Sequence, residues 1–201
     1  MYVVRSPVSS ESEVISELIL QSDCGMLPAL FGPSVKSLLQ HLQHRSDNPY
    51  SFNHTLVIAD EAGSRSVVGA MIGSPVASTR GANLRTAGHL FTWYGPCLIA
   101  RFPGLVRAGK ALDDLQPEDF YLSHVAVLPE HRGRGAGSLL LRAAEERSRI
   151  LGARRIVLDV EEHNERARAL YARLGYRQVS LVRIDLRRMG VFTFIRLGRG
   201  L

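Results

Sequence analysis

The sequence predicts a single α/β domain in which a sheet of about six to seven strands is flanked by helices. Three observations carry this. The chain's 201 residues fill one core but are short for two. Two apolar runs around a turn-like segment form a hairpin pattern in the first half. In the second half, β-rich runs alternate with helices of clear apolar periodicity.

In chain order, "YVVRS" reads as a short strand, followed by a helix opened by Ser10 and Glu13 at capping-box spacing and running to about Leu20. Breaks at Pro28, Gly32 and Pro33 precede a helix whose Val35, Leu38, Leu39 and Leu42 share a face. "TLVIAD", the turn "EAGSR" and "SVVGAMIG" make the hairpin. Residues 75–117 show no clean period and read as an inserted, partly helical region for the substrate. "FYLSHVAVL" is the next strand and "HRGRGAGSLL" a glycine loop. The following helix carries Leu140, Ala143, Ala144, Arg147 and Leu151 along one stripe and stops at Gly152. After the strand "RIVLDV", Asn164 caps a helix bearing Ala167, Leu170, Tyr171 and Leu174, closed by Gly175. Two late strands, near 176–186 and 191–197, complete the order.

Composition narrows the function classes. No apolar run reaches the roughly 18–20 residues of a membrane span, so no membrane association is expected. The opening "MYVVRSPVSSESE" lacks a basic segment leading into a sustained apolar one, so no secretory leader is expected. Cys24 and Cys97 are far apart and read as reduced thiols of a cytoplasmic protein. The net charge of +6 is spread along the chain without aromatic-basic motifs, which argues against nucleic acid. Local positive charge instead suits a polyanionic small molecule.

The glycine loop is where that charge concentrates. Between a strand and a helix N-terminus, unpaired amides face outward and bind anions. Gly133, Gly135 and Gly137 are expected to adopt positive φ and admit a phosphate without a Cβ in its way, with Arg132 and Arg134 adding charge. A plain strand-to-helix turn would need only one glycine. A P-loop is excluded because no lysine follows the glycines, and a dinucleotide fingerprint because Ser138 breaks its spacing and the strand comes late.

"VAVLPEHRGRGAGSLLLRAAEE" followed by "IVLDVEEHNERARALYARLGY" resembles the acyl-CoA-binding core of the GNAT superfamily of N-acetyltransferases, over about residues 119–180. The resemblance implies a mixed, mostly antiparallel sheet splayed between its two central parallel strands. It implies acetyl-CoA as co-substrate, with no metal. The pyrophosphate would lie on Arg132, Gly133, Arg134, Gly135, Ala136, Gly137 and Ser138. The strand before the loop, with Val125, Ala126 and Val127, would open with a bulge and offer main-chain groups to the pantetheine and the thioester carbonyl. Asn164, an N-cap on physical grounds, would also contact CoA.

Acyl transfer to an amine needs a base for the amine, a polarised carbonyl and a proton for the departing thiolate. The resemblance implies that Tyr171 binds CoA and supplies that proton, although the residue would equally suit the core of an amphipathic helix. Asp159, Glu118 and His124 are alternative bases, His124 by virtue of its ordinary pKa, though a strand histidine can be purely structural. Phe31, Trp93, Tyr94 and Phe102 could wall an acceptor pocket. The expected reaction is transfer of an acetyl, or another short acyl, group to a primary amine by direct attack in a ternary complex, because neither cysteine lies in the motif. The alternative is an acyl-CoA-binding sensor or structural subunit without turnover. The insertion would serve an acceptor larger than a bare amine, or a partner subunit such as the second copy of a homodimer.

Overall fold

The computed structural model describes residues 1–61 and 66–201, with residues 79–84 described by their backbone only. The hairpin turn therefore lies outside the described residues from 62 to 65. Among the described residues, a seven-stranded sheet runs in the order β1-β2-β3-β4-β5-β7-β6. Its strands are β1 (Tyr2–Arg5), β2 (Thr55–Asp60), β3 (Val67–Pro75), β4 (Asp119–Val127), β5 (Arg155–Glu161), β6 (Arg177–Asp185) and β7 (Val191–Gly200). Every neighbouring pair is antiparallel except β4 and β5.

Helices cover both faces. On the first lie α1 (Ser12–Ser22), α2 (Met26–Phe31), α3 (Val35–Gln43), α4 (Val76–Tyr94) and α5 (Leu98–Lys110), and on the second α6 (Ala136–Ile150) and α7 (Glu165–Arg173). The core divides accordingly. Ile15, Leu18, Leu38, Leu39 and Ile72 fill the first face, while Phe120, Leu140, Ala144, Ile156 and Tyr171 fill the second. β3 is buried along nearly its whole length because both layers press on it, which explains its unbroken apolar run. No described helix is long and apolar enough to cross a membrane.

Three local expectations change. The box at Ser10 and Glu13 is not formed: α1 starts at Ser12, and Glu11 accepts the Val8 amide at 2.8 Å while paired with Arg5. The ion pair to β1 draws the chain into a short turn first, so the helix begins one residue late. Pro28 does not break a helix but lies in the first turns of α2, where a missing N–H is tolerated. The region 75–117 is more helical than its pattern suggests, being mostly α4 and α5. These helices roof the first face and dock by specific contacts: Tyr94 donates to Phe31 O at 2.6 Å, and Arg101 to Leu30 O at 2.8 Å while its guanidinium lies 4.8 Å above the Tyr94 ring.

Two irregularities of β4 create the site. Parallel pairing with β5 covers only Asp119 to Leu122 against Arg155 to Leu158, after which the strands diverge. Against β3 the register slips, Ile72 facing His124 while Gly73 faces Leu122, so Ser123 is an extra residue.

Candidate active site

The bulge decides which side chains reach which face. Without it, strict alternation would send His124 toward α6. With Ser123 inserted, Phe120, Leu122, Val125 and Val127 pack in the second-face core, while Tyr121, Ser123 and His124 all line a first-face cavity of about 520 Å3. The cavity sits where β4 and β5 part, its floor completed by Ser74, Asp159 and Phe194, its roof made by α2, α4 and α5, and its end closed by Ser22, Asp23, Cys24 and Tyr50.

Of the three base candidates, His124 and Asp159 line the cavity, and His124 does so with one ring nitrogen that no described residue hydrogen-bonds. Ser22 Oγ donates its one hydrogen to Ile19 O at 2.8 Å and lies 3.0 Å from His124 Nδ1. The hydroxyl therefore accepts from Nδ1–H, and Nε2 is left as the acceptor. The ring tilts against Tyr50 with centroids 5.8 Å apart. The ordinary pKa expected of His124 is not kept: burial pushes the imidazole from 6.5 down to about 4, so it is neutral at physiological pH but a weaker base than expected.

Asp159 also lines the cavity, but its carboxylate is committed. Oδ1 accepts from Arg196 Nε at 2.8 Å, and Oδ2 from Arg196 Nη2 at 2.8 Å and from Tyr121 OH at 3.0 Å. Arg196 is only 2% exposed and also donates to Ala111 O at 2.7 Å. A bidentate pair this buried holds floor and roof together, and drawing a proton to Asp159 would strand the arginine's charge. Glu118 is exposed just before β4 and its carbonyl accepts the Arg154 amide at 2.9 Å. It stands six residues before His124, roughly 20 Å along a strand, at the closed end of the splay.

The glycine loop lies on the other face. Its approach is fixed by a 2.9 Å hydrogen bond between Tyr2 OH and His131 Nδ1. Among the described residues no backbone acceptor meets the amides from Gly133 to Ser138, and the first to find one is Leu139, bonded to Gly135 O at 3.1 Å. Gly133 and Gly135 have φ of 79° and 86°, and a Cβ on Gly135 would meet open space, so backbone conformation, not packing, calls for glycine there. Gly137 departs from expectation: it is helical, and a Cβ would come 3.2 Å from Leu170 Cδ2, so its smallness lets α6 and α7 close together. Arg134 is exposed beside the loop, Ala136 is buried at the start of α6, and Arg132 folds back to donate to Val127 O at 2.7 Å. Beyond Leu122, the β5-facing edge of β4 has no strand partner, so main-chain groups near Val125 and Ala126 border the gap. This row of amides fits a pyrophosphate on chemical grounds.

Asn164 caps α7, its Oδ1 accepting the Ala167 amide at 3.1 Å. Tyr171 is on the second face, its ring tilted against Tyr176 with centroids 5.7 Å apart, and burial pushes its hydroxyl up to about 12. It does not line the first-face cavity. Tyr171 and His124 thus stand on opposite sides of the sheet that the splay opens.

Of the four aromatics expected to wall a pocket, Phe31 lines the cavity, while Trp93 packs on His41, Tyr94 lies under Arg101 and Phe102 is exposed. Sequence reasoning placed the acceptor site in part at about residues 24–53, which include Cys24 and Tyr50, but gave no individual role there to either of these or to Ser22 and Asp23. Cys24 borders the cavity, but burial raises its thiol to about 11, which keeps it protonated and a poor nucleophile. Asp23 closes the α1–α2 junction, accepting the Gly25 amide at 2.8 Å and the Leu27 amide at 3.0 Å. Burial nevertheless raises its carboxyl above the usual range, and Glu161 adds to that.

The sequence profile of the acetyltransferase (GNAT) family matches residues 37–176, well over half of the chain, and the protein belongs to that family. Over 94 residues it is 39% identical to the uncharacterized N-acetyltransferase YobR of Bacillus subtilis (strain 168), a match covering 46% of this chain and 38% of that protein. The chain spans less than half the length of that relative and of two further ones from the same bacterium. Among solved structures, an acetyltransferase superposes with a TM-score of 0.69 at 23% identity over 98% of each chain. A mutant agmatine N-acetyltransferase in its apo form superposes at 0.64 and 19% identity, covering 100% of this chain and 99% of that one. Both likenesses show the shared fold.

Proposed function

We propose that the protein transfers an acetyl, or another short acyl, group from acyl-CoA to a primary amine by direct attack within a ternary complex. The observation that carries this is the splay, which opens between unpaired amides on one face and a roofed cavity with a free imidazole nitrogen on the other. Acyl-CoA supplies an activated thioester. The amides from Gly133 to Ser138 hold its pyrophosphate, and the free edge of β4 orients the pantetheine. His124 Nε2 takes the proton that the amine must lose, directly or through one water. As the amine nitrogen bonds to the acyl carbon and the carbon–sulfur bond breaks, Tyr171 gives its proton to the thiolate. The products are an amide and free CoA, and both side chains re-equilibrate with solvent. Protonated Cys24 is a poor rival nucleophile, and Asp159 is a poor rival base because Arg196 holds its carboxylate.

The test is thiol release from acetyl-CoA with a primary amine, in the parent protein and in His124→Gln and Tyr171→Phe. Each substitution is expected to lower kcat by about a hundredfold with acetyl-CoA affinity nearly unchanged. Unchanged rates would remove the respective role. Tight acetyl-CoA binding with no thiol release in the presence of any amine would make the protein a binding module instead.

A further inference from the structure

We infer that the acceptor is a small primary amine with an apolar, uncharged carbon body and no carboxylate, and that Asp23 recognises its ammonium group and takes the first of the two protons it must lose, the second passing to His124 as the amide forms. This rests on the acyl-transfer reading above and names the substrate class that the same cavity would take.

Size and enclosure come first. At about 520 Å3 the cavity falls within the roughly 300–1,000 Å3 of small-molecule sites. A polypeptide acceptor needs an open groove with partners for its own N–H and C=O groups. Here the roof consists of α2, α4 and α5, and the side chains it turns inward include Leu27, Leu30, Phe31, Leu90 and Leu105, with Leu115 beyond α5. These offer an apolar body surface to pack on and no hydrogen bonds to a peptide backbone.

Charge then selects the functional groups. The acidic residues among the described lining residues are Asp23, Asp113 and Asp159, the last paired with Arg196. Asp113 belongs to the exposed turn after α5 and marks the rim. Asp23 is the inner one. It follows Ser22, which hydrogen-bonds His124, and it lines the cavity with Tyr50, whose ring tilts against His124, so the carboxyl group, the ring and the base converge at one end of the cavity. Glu161 reinforces the negative field there. The burial that raises the Asp23 carboxyl is relieved by an ammonium ion beside it and made worse by a second carboxylate. A second cation on the substrate would instead be desolvated against the leucine roof.

The test uses the full chain, acetyl-CoA and matched amines. 2-Phenylethylamine differs from phenylalanine only in the carboxylate, hexylamine from 1,6-diaminohexane in the second charge, and hexylamine from butylamine in two methylenes. The expected kcat/KM favours the first member of each pair at least tenfold, with each methylene contributing about fourfold. Asp23→Asn keeps an oxygen for the Leu27 amide and should raise the KM for hexylamine at least tenfold, leaving the KM for acetyl-CoA within twofold. An unchanged hexylamine KM overturns the role of Asp23. Preferred acetylation of phenylalanine, the diamine, agmatine or a peptide N-terminus overturns the substrate class while acyl transfer stands. Calorimetry of the same amines separates the two readings: selective binding of 2-phenylethylamine without turnover upholds the class and removes the transfer, and absence of both removes both.

Discussion

At Ser22 a single hydroxyl sets the tautomer of the neighbouring His124. Its hydrogen goes to Ile19 O, so it can only accept from His124, and the histidine's other nitrogen is held open toward the cavity. Removing the hydroxyl frees the ring to rotate and to exchange tautomers. Ser22→Ala should therefore lower kcat about tenfold with acetyl-CoA binding unchanged, and Ser22→Thr should restore most of it; steady-state kinetics of the two variants check this. If alanine and threonine behave alike, packing and not the hydrogen bond positions the ring. This residue carries no signal in the sequence, because a serine near a helix end is ordinary. The face taken by His124 does leave one. Apolar residues occupy 120 and 122, then 125 and 127, and that slip of one position is the bulge written into the chain.

Among the elements, the strand–loop–helix unit of β4 and α6 is the most legible, because its requirements are local. A helix N-terminus exposes amides whatever the rest of the protein does, and positive φ at Gly133 and Gly135 needs glycine whatever packs nearby. Gly135→Val forces a β-branched residue into the left-handed region, where it is strained and shields the amides. With open space at the Cβ position, the fold should survive. Calorimetry should find acetyl-CoA binding weakened at least tenfold, and an unchanged affinity would disprove the pyrophosphate assignment. The β5–α7 unit was equally readable from Asn164 to Gly175. The helices α4 and α5 were not. Leu90 is buried by the core beneath it and Gly104 by Leu30 and Met189, whereas Phe91, Ile99 and Phe102 stay exposed. A helix that roofs a cavity has no continuous core stripe, so its period is blurred. The acceptor end was hidden for a related reason: it is assembled from α1, α2, a loop at Tyr50 and β4, segments that meet only in three dimensions.

For the whole molecule, burial of neutral histidines ties stability to pH. His124 is pushed down to about 4, and His41 and His54 are lowered by burial as well. Between those values and the ordinary 6.5 the unfolded chain binds more protons than the folded one, so stability is full above pH 6.5 and declines as pH falls toward 4. Urea unfolding should give a lower midpoint at pH 5 than at pH 7.5, with a smaller difference in His124→Gln; equal differences would show that His124 is not the group responsible. The divergence of β4 and β5 has a kinetic consequence. In the proposed reaction the nucleotide carrier and the amine would approach one reaction point through separate entrances on opposite sides of the sheet, so that neither would have to leave before the other could arrive. A non-hydrolysable thioether analogue of acetyl-CoA should compete with acetyl-CoA yet show noncompetitive inhibition toward the amine, the pattern of two doors opening on one room.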